Sequence, residues 1–76
     1  MQTLKAKYFI EVAKKELDNK KIMEITGMNP MRLSRIERGI IEKIDIDTVA
    51  ALAKGLNLTI DELHEKAVIL RSTGVK

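Results

Sequence analysis

Apolar residues recur along this chain at three- and four-residue steps, the period of helices that bury one side. From about Leu4 to Glu16, Tyr8, Phe9, Val12 and Ala13 form a broad apolar face with lysines elsewhere, which predicts a first helix. Asp18 is placed to cap a short second helix, Asn19 to Thr26, that buries Ile22 and Met23. Gly27 follows where a helix needs a left-handed residue to stop and turn. Asn29-Pro30 starts a third helix: Asn caps it, and Pro at the first position gives up an N–H that would be unpaired anyway. That helix runs from Pro30 to about Arg38 and ends at Gly39. Asp45 caps a fourth, with Ile46, Val49, Ala50, Leu52 and Ala53 as its apolar positions and Gly55 closing it. Thr59 and Glu62 form a capping box that opens a fifth helix, carrying Ile60, Leu63 and Ala67 inward. No strand pattern survives. The expected fold is an all-α, compact five-helix domain over residues 1–71, with a tail at 72–76.

Two stretches are more apolar than their positions require. The connection GIIEKIDI carries Ile40, Ile41 and Ile44, which serve either as core or as a surface for a partner. The fifth helix continues as Ala67-Val68-Ile69-Leu70, so its end either packs back on the first helix or supplies a contact between subunits.

Composition narrows the class. Seventy-six residues suffice for one domain, and a chain of this size buries only about 60% of its unfolded surface. With no Cys there is neither a disulfide nor a thiolate metal site, and with one Tyr, one Phe and no Trp the core must be aliphatic. The first thirty residues hold no apolar run of secretory-signal length, and nothing approaches the eighteen or so apolar residues of a membrane span. These features point to a cytoplasmic protein with no membrane partner.

Charge is distributed unevenly. Residues 1–38 carry nine Lys/Arg against five Asp/Glu, whereas residues 39–65 carry two against six. Three of the four arginines, Arg32, Arg35 and Arg38, fall in the third helix. At about 100° per residue, Leu33 and Ile36 share its buried edge, while Met31, Ser34, Arg35 and Arg38 point the other way. Arg32 and Glu37 occupy the flanks. Lysine would solubilise an exposed face equally well. Arginine is favoured where a planar fork must give two parallel hydrogen bonds, as to guanine in the major groove. Ser can meet a base or a phosphate, and an apolar tip can meet a thymine methyl.

Catalytic chemistry finds no support. His64 is the only histidine and reads as an exposed helix residue. Asp45 with Asp47, and Asp61 with Glu62, look like paired carboxylates, but each pair lies in a helix's first turn, where acids complement the dipole. No metal-ligand set, phosphate loop or nucleophile–base pair can be assembled, so neither an enzyme nor a cofactor is expected.

The segment IMEITGMNPMRLSRIERG, residues 22–39, resembles the helix, Gly-containing turn and recognition helix of the lambda-repressor-like, Cro-type helix-turn-helix family. The segment IDTVAALAKGLNLTIDEL, residues 46–63, is similar to that family's fourth and fifth helices. The resemblance implies a transcriptional regulator, repressor-like, that binds double-stranded DNA as a homodimer and lays residues 30–38 in the major groove. It also implies that Met31 and Arg35 face base edges and that Ser34 and Arg32 reach a base or a phosphate. Asn19, Asn29, Arg38 and Lys43 would lie near phosphates, and Lys20 joins the same DNA-binding set. The chain departs from the family at four places. Val12 stands where a first-helix arginine commonly pairs with the acid matching Glu37, leaving Glu37 to Lys14, Lys15 or solvent. Met23 replaces a small residue, Pro30 replaces a residue that often reads a base, and Asp18 puts a carboxylate where a phosphate would approach. A different class of function is an antitoxin-like or other protein-interaction module on the same fold, holding its partner through Ile40, Ile41 and Ile44 or the end of the fifth helix.

Overall fold

The structure, a computed structural model, describes residues 5–74. Five helices follow in order: α1 (Ala6–Lys14), α2 (Asn19–Thr26), α3 (Pro30–Glu37), α4 (Ile46–Gly55) and α5 (Ile60–Gly74). No strand occurs among the described residues. The expected first-helix start at Leu4 lies outside these residues, as do Val75 and Lys76 of the tail. α5 continues through Gly74, so Ser72, Thr73 and Gly74 are helical.

Local chemistry explains most of the boundaries. Asp18 Oδ1 accepts from Lys21 N at 2.8 Å at the start of α2, and Asn29 Oδ1 accepts from Arg32 N at 2.7 Å at the start of α3. Asp45 accepts from Thr48 N at 3.3 Å and from the Thr48 hydroxyl. The capping box closes both ways: Thr59 N donates to Glu62 Oε1 at 2.9 Å, and Glu62 N donates to Thr59 Oγ1 at 3.1 Å. At the end of α3, Gly39 adopts φ 80°, with its N–H bonded to Ile36 O and that of Ile40 to Arg35 O. This paired arrangement returns the chain from a helix end and needs a left-handed residue.

α4 ends by the same device, but not at Gly55. The left-handed residue is Asn57, φ 64°, with Asn57 N bonded to Lys54 O and Leu58 N to Ala53 O. Gly55 is helical, and a Cβ added there would run into Ile25 Cδ1 of α2. Its lack of a side chain serves the close approach of α4 to α2 rather than a turn.

α1 lies at the centre, packing most extensively on α5 and also against α2, α3 and α4. Ile10, Ala13, Ile22, Ile36, Leu52, Leu63 and Ala67 are sealed from solvent, with Ala6, Phe9, Val12, Met28, Leu33, Val49, Ala53 and Leu56 nearly so. Several expected core positions behave differently, and Met23 and Ala50 are half-buried rather than buried. Ile46 is 65% and Ile60 39% exposed, because each opens its helix and overhangs the interior, while Tyr8 is only half-buried. Ile10 and Met28 take up burial instead. In the α3–α4 connection Ile41 and Ile44 are half-buried against the core, and Ile40 points out, 59% exposed. The connection is anchored to α1 by Ala6 N donating to Glu42 O at 2.9 Å. The far end of α5 does return to α1. A shallow groove lined by Val12, Lys15, Lys66, Ile69 and Leu70 separates the two, with Ile69 exposed.

Candidate nucleic-acid interface

The joint between α2 and α3 is built from short-range bonds. The Thr26 hydroxyl donates to Ile22 O at 2.6 Å and accepts from Met28 N at 3.4 Å. Gly27, at φ 75°, donates to Met23 O and turns the chain. Met28 then drops into the core, so the turn is fixed from beneath before Asn29 begins α3.

α3 is held by a narrow edge. Leu33 and Ile36 are buried against α1 and the remaining core. On its other side Met31 is 61% exposed, and Arg32, Arg35 and Arg38 are exposed, with Ser34 half-buried. Among the described residues no carboxylate lies within ion-pair distance of any of these arginines. The acid nearest in sequence is directed elsewhere: Glu37 Oε2 meets Lys14 Nζ of α1 at 2.5 Å. This pair restores the α1–α3 ionic link with a lysine, two positions beyond Val12, and Val12 itself is core. The outward stripe therefore keeps its full positive charge.

One acid influences the stripe without touching it. The Asp45 carboxyl is held below the ordinary carboxylate range, first by the Thr48 hydroxyl bond. Desolvation opposes that effect, backbone N–H groups reinforce it, and the field of Arg32 adds a final contribution. The positive charge of Arg32, on the flank of α3, is thus felt at the cap of α4. This tertiary neighbourhood is invisible in the sequence, where the two residues belong to separate elements.

The remaining candidates are spread over three elements. Asn19 and Lys20 are exposed on the first turn of α2, Asn29 is exposed at the cap of α3, and Lys43 is exposed in the α3–α4 connection. Asn29 uses its carbonyl oxygen for the cap, leaving its amide N–H groups as donors. No cluster of three or more His, Asp or Glu side chains that could hold a metal ion occurs among the described residues. His64 is exposed, its ring 6.3 Å from that of Phe9. No helix among the described residues is long and apolar enough to cross a membrane.

No curated protein and no solved structure shows a significant match to the chain. The helix-turn-helix family profile does match, over residues 11–63, which spans α2, the turn, α3, α4 and the capping box of α5. With two capped helices joined through a left-handed glycine, and that match extending over more than half its length, the chain belongs to the lambda-repressor-like, XRE-type helix-turn-helix family of DNA-binding regulators.

Proposed function

We propose that this protein is a sequence-specific, repressor-like transcriptional regulator that reads the major groove of double-stranded DNA with α3. The observation that carries the reading is the outward side of α3, where Met31, Arg35 and Arg38 are exposed and the arginines have no ion-pair partner among the described residues. A guanidinium that is neither packed nor bridged can offer its fork to a guanine edge. Met31 and Arg35 are assigned to base edges, and Ser34 and Arg32 to a base or a phosphate. Asn19, Lys20, Asn29, Arg38 and Lys43 are assigned to the phosphate backbone, where contacts set register and affinity but carry no sequence information.

A homodimer would place two α3 helices in successive major grooves, about 34–36 Å apart. If each subunit neutralises about four phosphates, log affinity should fall with log salt at a slope near −7, from about 0.9 per phosphate. Selection of binding sites from random duplex DNA at near-physiological salt tests the proposal. A palindromic consensus supports it, and recovery of no sequence preference refutes it.

The exposed Ile69 beside the α1–α5 groove, together with exposed Ile40, supports a second reading: an antitoxin-like or other protein-interaction module on the same fold. The two roles are compatible on one chain, because these residues lie outside the stripe of α3. Light scattering combined with a pull-down separates them. A stable monomer that captures one protein and ignores DNA would favour the second.

A further inference from the structure

Methionine is the only sulfur-bearing residue type of this chain, which has no cysteine. Oxidation of its thioether to a sulfoxide replaces an apolar, flexible tip by a polar, chiral one. Of the four methionines, Met1 lies outside the described residues. Met28 is 8% exposed, beneath the turn between α2 and α3, and Met23 is half-buried against the core. Met31 is 61% exposed. Position explains the difference. A helical side chain leans over the turn that precedes it, and Met31, the second residue of α3, has no preceding turn to lie on. Its sulfur is therefore open to small oxidants that reach Met28 only when the domain opens.

Arg35 follows one turn further along on the same side, at the i, i+4 spacing that makes helix neighbours. Its guanidinium has no carboxylate partner among the described residues. A sulfoxide oxygen accepts hydrogen bonds, so an oxidised Met31 offers that fork a partner within its own helix. Oxidation thus acts twice on the outward face of α3. It removes an apolar tip suited to a thymine methyl, and it competes with a base for Arg35.

We propose that Met31 is an oxidative modification site through which peroxide lowers the affinity of this protein for its preferred DNA. The inference rests on the DNA-binding reading above. The step is a two-electron oxidation. The Met31 sulfur gives a lone pair to one oxygen of hydrogen peroxide, the O–O bond breaks, a proton moves to the departing oxygen, and water leaves. Methionine sulfoxide reductases return the thioether, so the modification is reversible.

Hydrogen peroxide is titrated against the full chain, and tandem mass spectrometry of the tryptic peptide 22–32, which holds Met23, Met28 and Met31, assigns each sulfoxide. Met31 should be modified first, with Met28 still mostly thioether when half of Met31 is converted. Fluorescence anisotropy on the same samples then compares the selected consensus with a scrambled duplex of equal length. Affinity for the consensus should fall about fivefold to thirtyfold, the size of one spoiled base position. Affinity for the scrambled duplex should change by less than about twofold, because phosphate contacts are untouched. Reduction by the two reductases should restore binding. Met31→Leu, read against its own untreated affinity, should lose nothing further on peroxide. The volume-conserving Met23→Leu/Met28→Leu double variant should keep the full sensitivity. Thermal melts establish that each sample is folded, and should the double variant melt early, reversal in the wild-type chain stands in its place.

Oxidation of Met23 or Met28 ahead of Met31 overturns the inference, as does a Met31-oxidised protein that binds the consensus as before. A further loss in peroxide-treated Met31→Leu, an equal loss on both duplexes, or no recovery after reduction also overturns it, because the damage would then lie elsewhere. Each of these results leaves the DNA-binding reading in place. Failure of the untreated protein to bind either duplex overturns both.

Discussion

α2 and α3 are each eight residues long, each starts at a side-chain cap and each is followed by a left-handed glycine. Propensity and capping treat them alike. They differ in where their charges go. α2 settles its own, with Asp18 on its N–H groups and Lys21 drawn to Glu24. α3 sends its single acid to α1 and keeps its arginines free of contact. Two helices made by the same local rules thus end, respectively, with their charges paired within the helix and with an uncovered cationic side. Helix formation does not distinguish them, whereas the destination of each charged side chain does.

The most severe way to break the contrast is from beneath. Ile36→Ala removes a fully buried side chain from the edge that holds α3 and should cost about 2–5 kcal/mol of stability. In a domain with a thin stability margin this is a large part of the total, and a urea melt should show a much lower midpoint at similar slope.

Next is the outward face of α3 itself. Arg35→Ala should leave the melt nearly unchanged, since the side chain is exposed, yet cost about 1–3 kcal/mol of binding to the selected site. Preference should relax at one base pair per half-site in a repeat selection. Arg38→Ala sharpens the distinction: a uniform loss over all sequences with a salt slope reduced by about 1 marks a phosphate contact. If Arg35→Ala shows that second pattern, the base-reading role assigned to it is wrong.

A smaller effect is expected at the link that removes acid from the stripe. Lys14 and Glu37 are 39% and 28% exposed, so their pair is screened and contributes about 0–1 kcal/mol to stability. Lys14→Ala should therefore shift the melt little. It should weaken DNA binding more than its stability loss explains, because Glu37 becomes free to approach the neighbouring arginines.

The smallest effect concerns pH. Asp45 has a folded-state pKa below its unfolded one, so its contribution is present above the ordinary carboxylate range and is lost as pH falls through the folded value. Thr48→Val removes the hydroxyl that is the largest single cause of the depression. Acid melts of the variant should show a shallower loss of stability over that low-pH window, and neutral pH should show only the loss of the hydroxyl bond to Asp45, the backbone cap bond being retained.

Much of this architecture is written in neighbouring residues. A cap needs only a side-chain oxygen three positions before a free N–H, as at Asp18, Asn29, Asp45 and Thr59, so the starts of four helices are set within a few residues. The outward placement of Arg35 and Arg38, with Arg32 on the flank, follows equally from helical period. Other features depend on elements distant in the chain. Gly55 has the composition of a stop, yet the approach of Ile25 requires it inside α4, and Asn57 makes the turn. Ile46 and Ile60 keep helical period with buried neighbours but lie at first turns that overhang the interior. Glu37 had several lysines within reach on paper, and the crossing of α1 over α3 selected Lys14. Backbone hydrogen bonding and side-chain capping act over a turn of helix and survive in one dimension. Which surfaces are covered, and which charges meet, depends on how whole helices cross, and that was decided only by the packed three-dimensional structure.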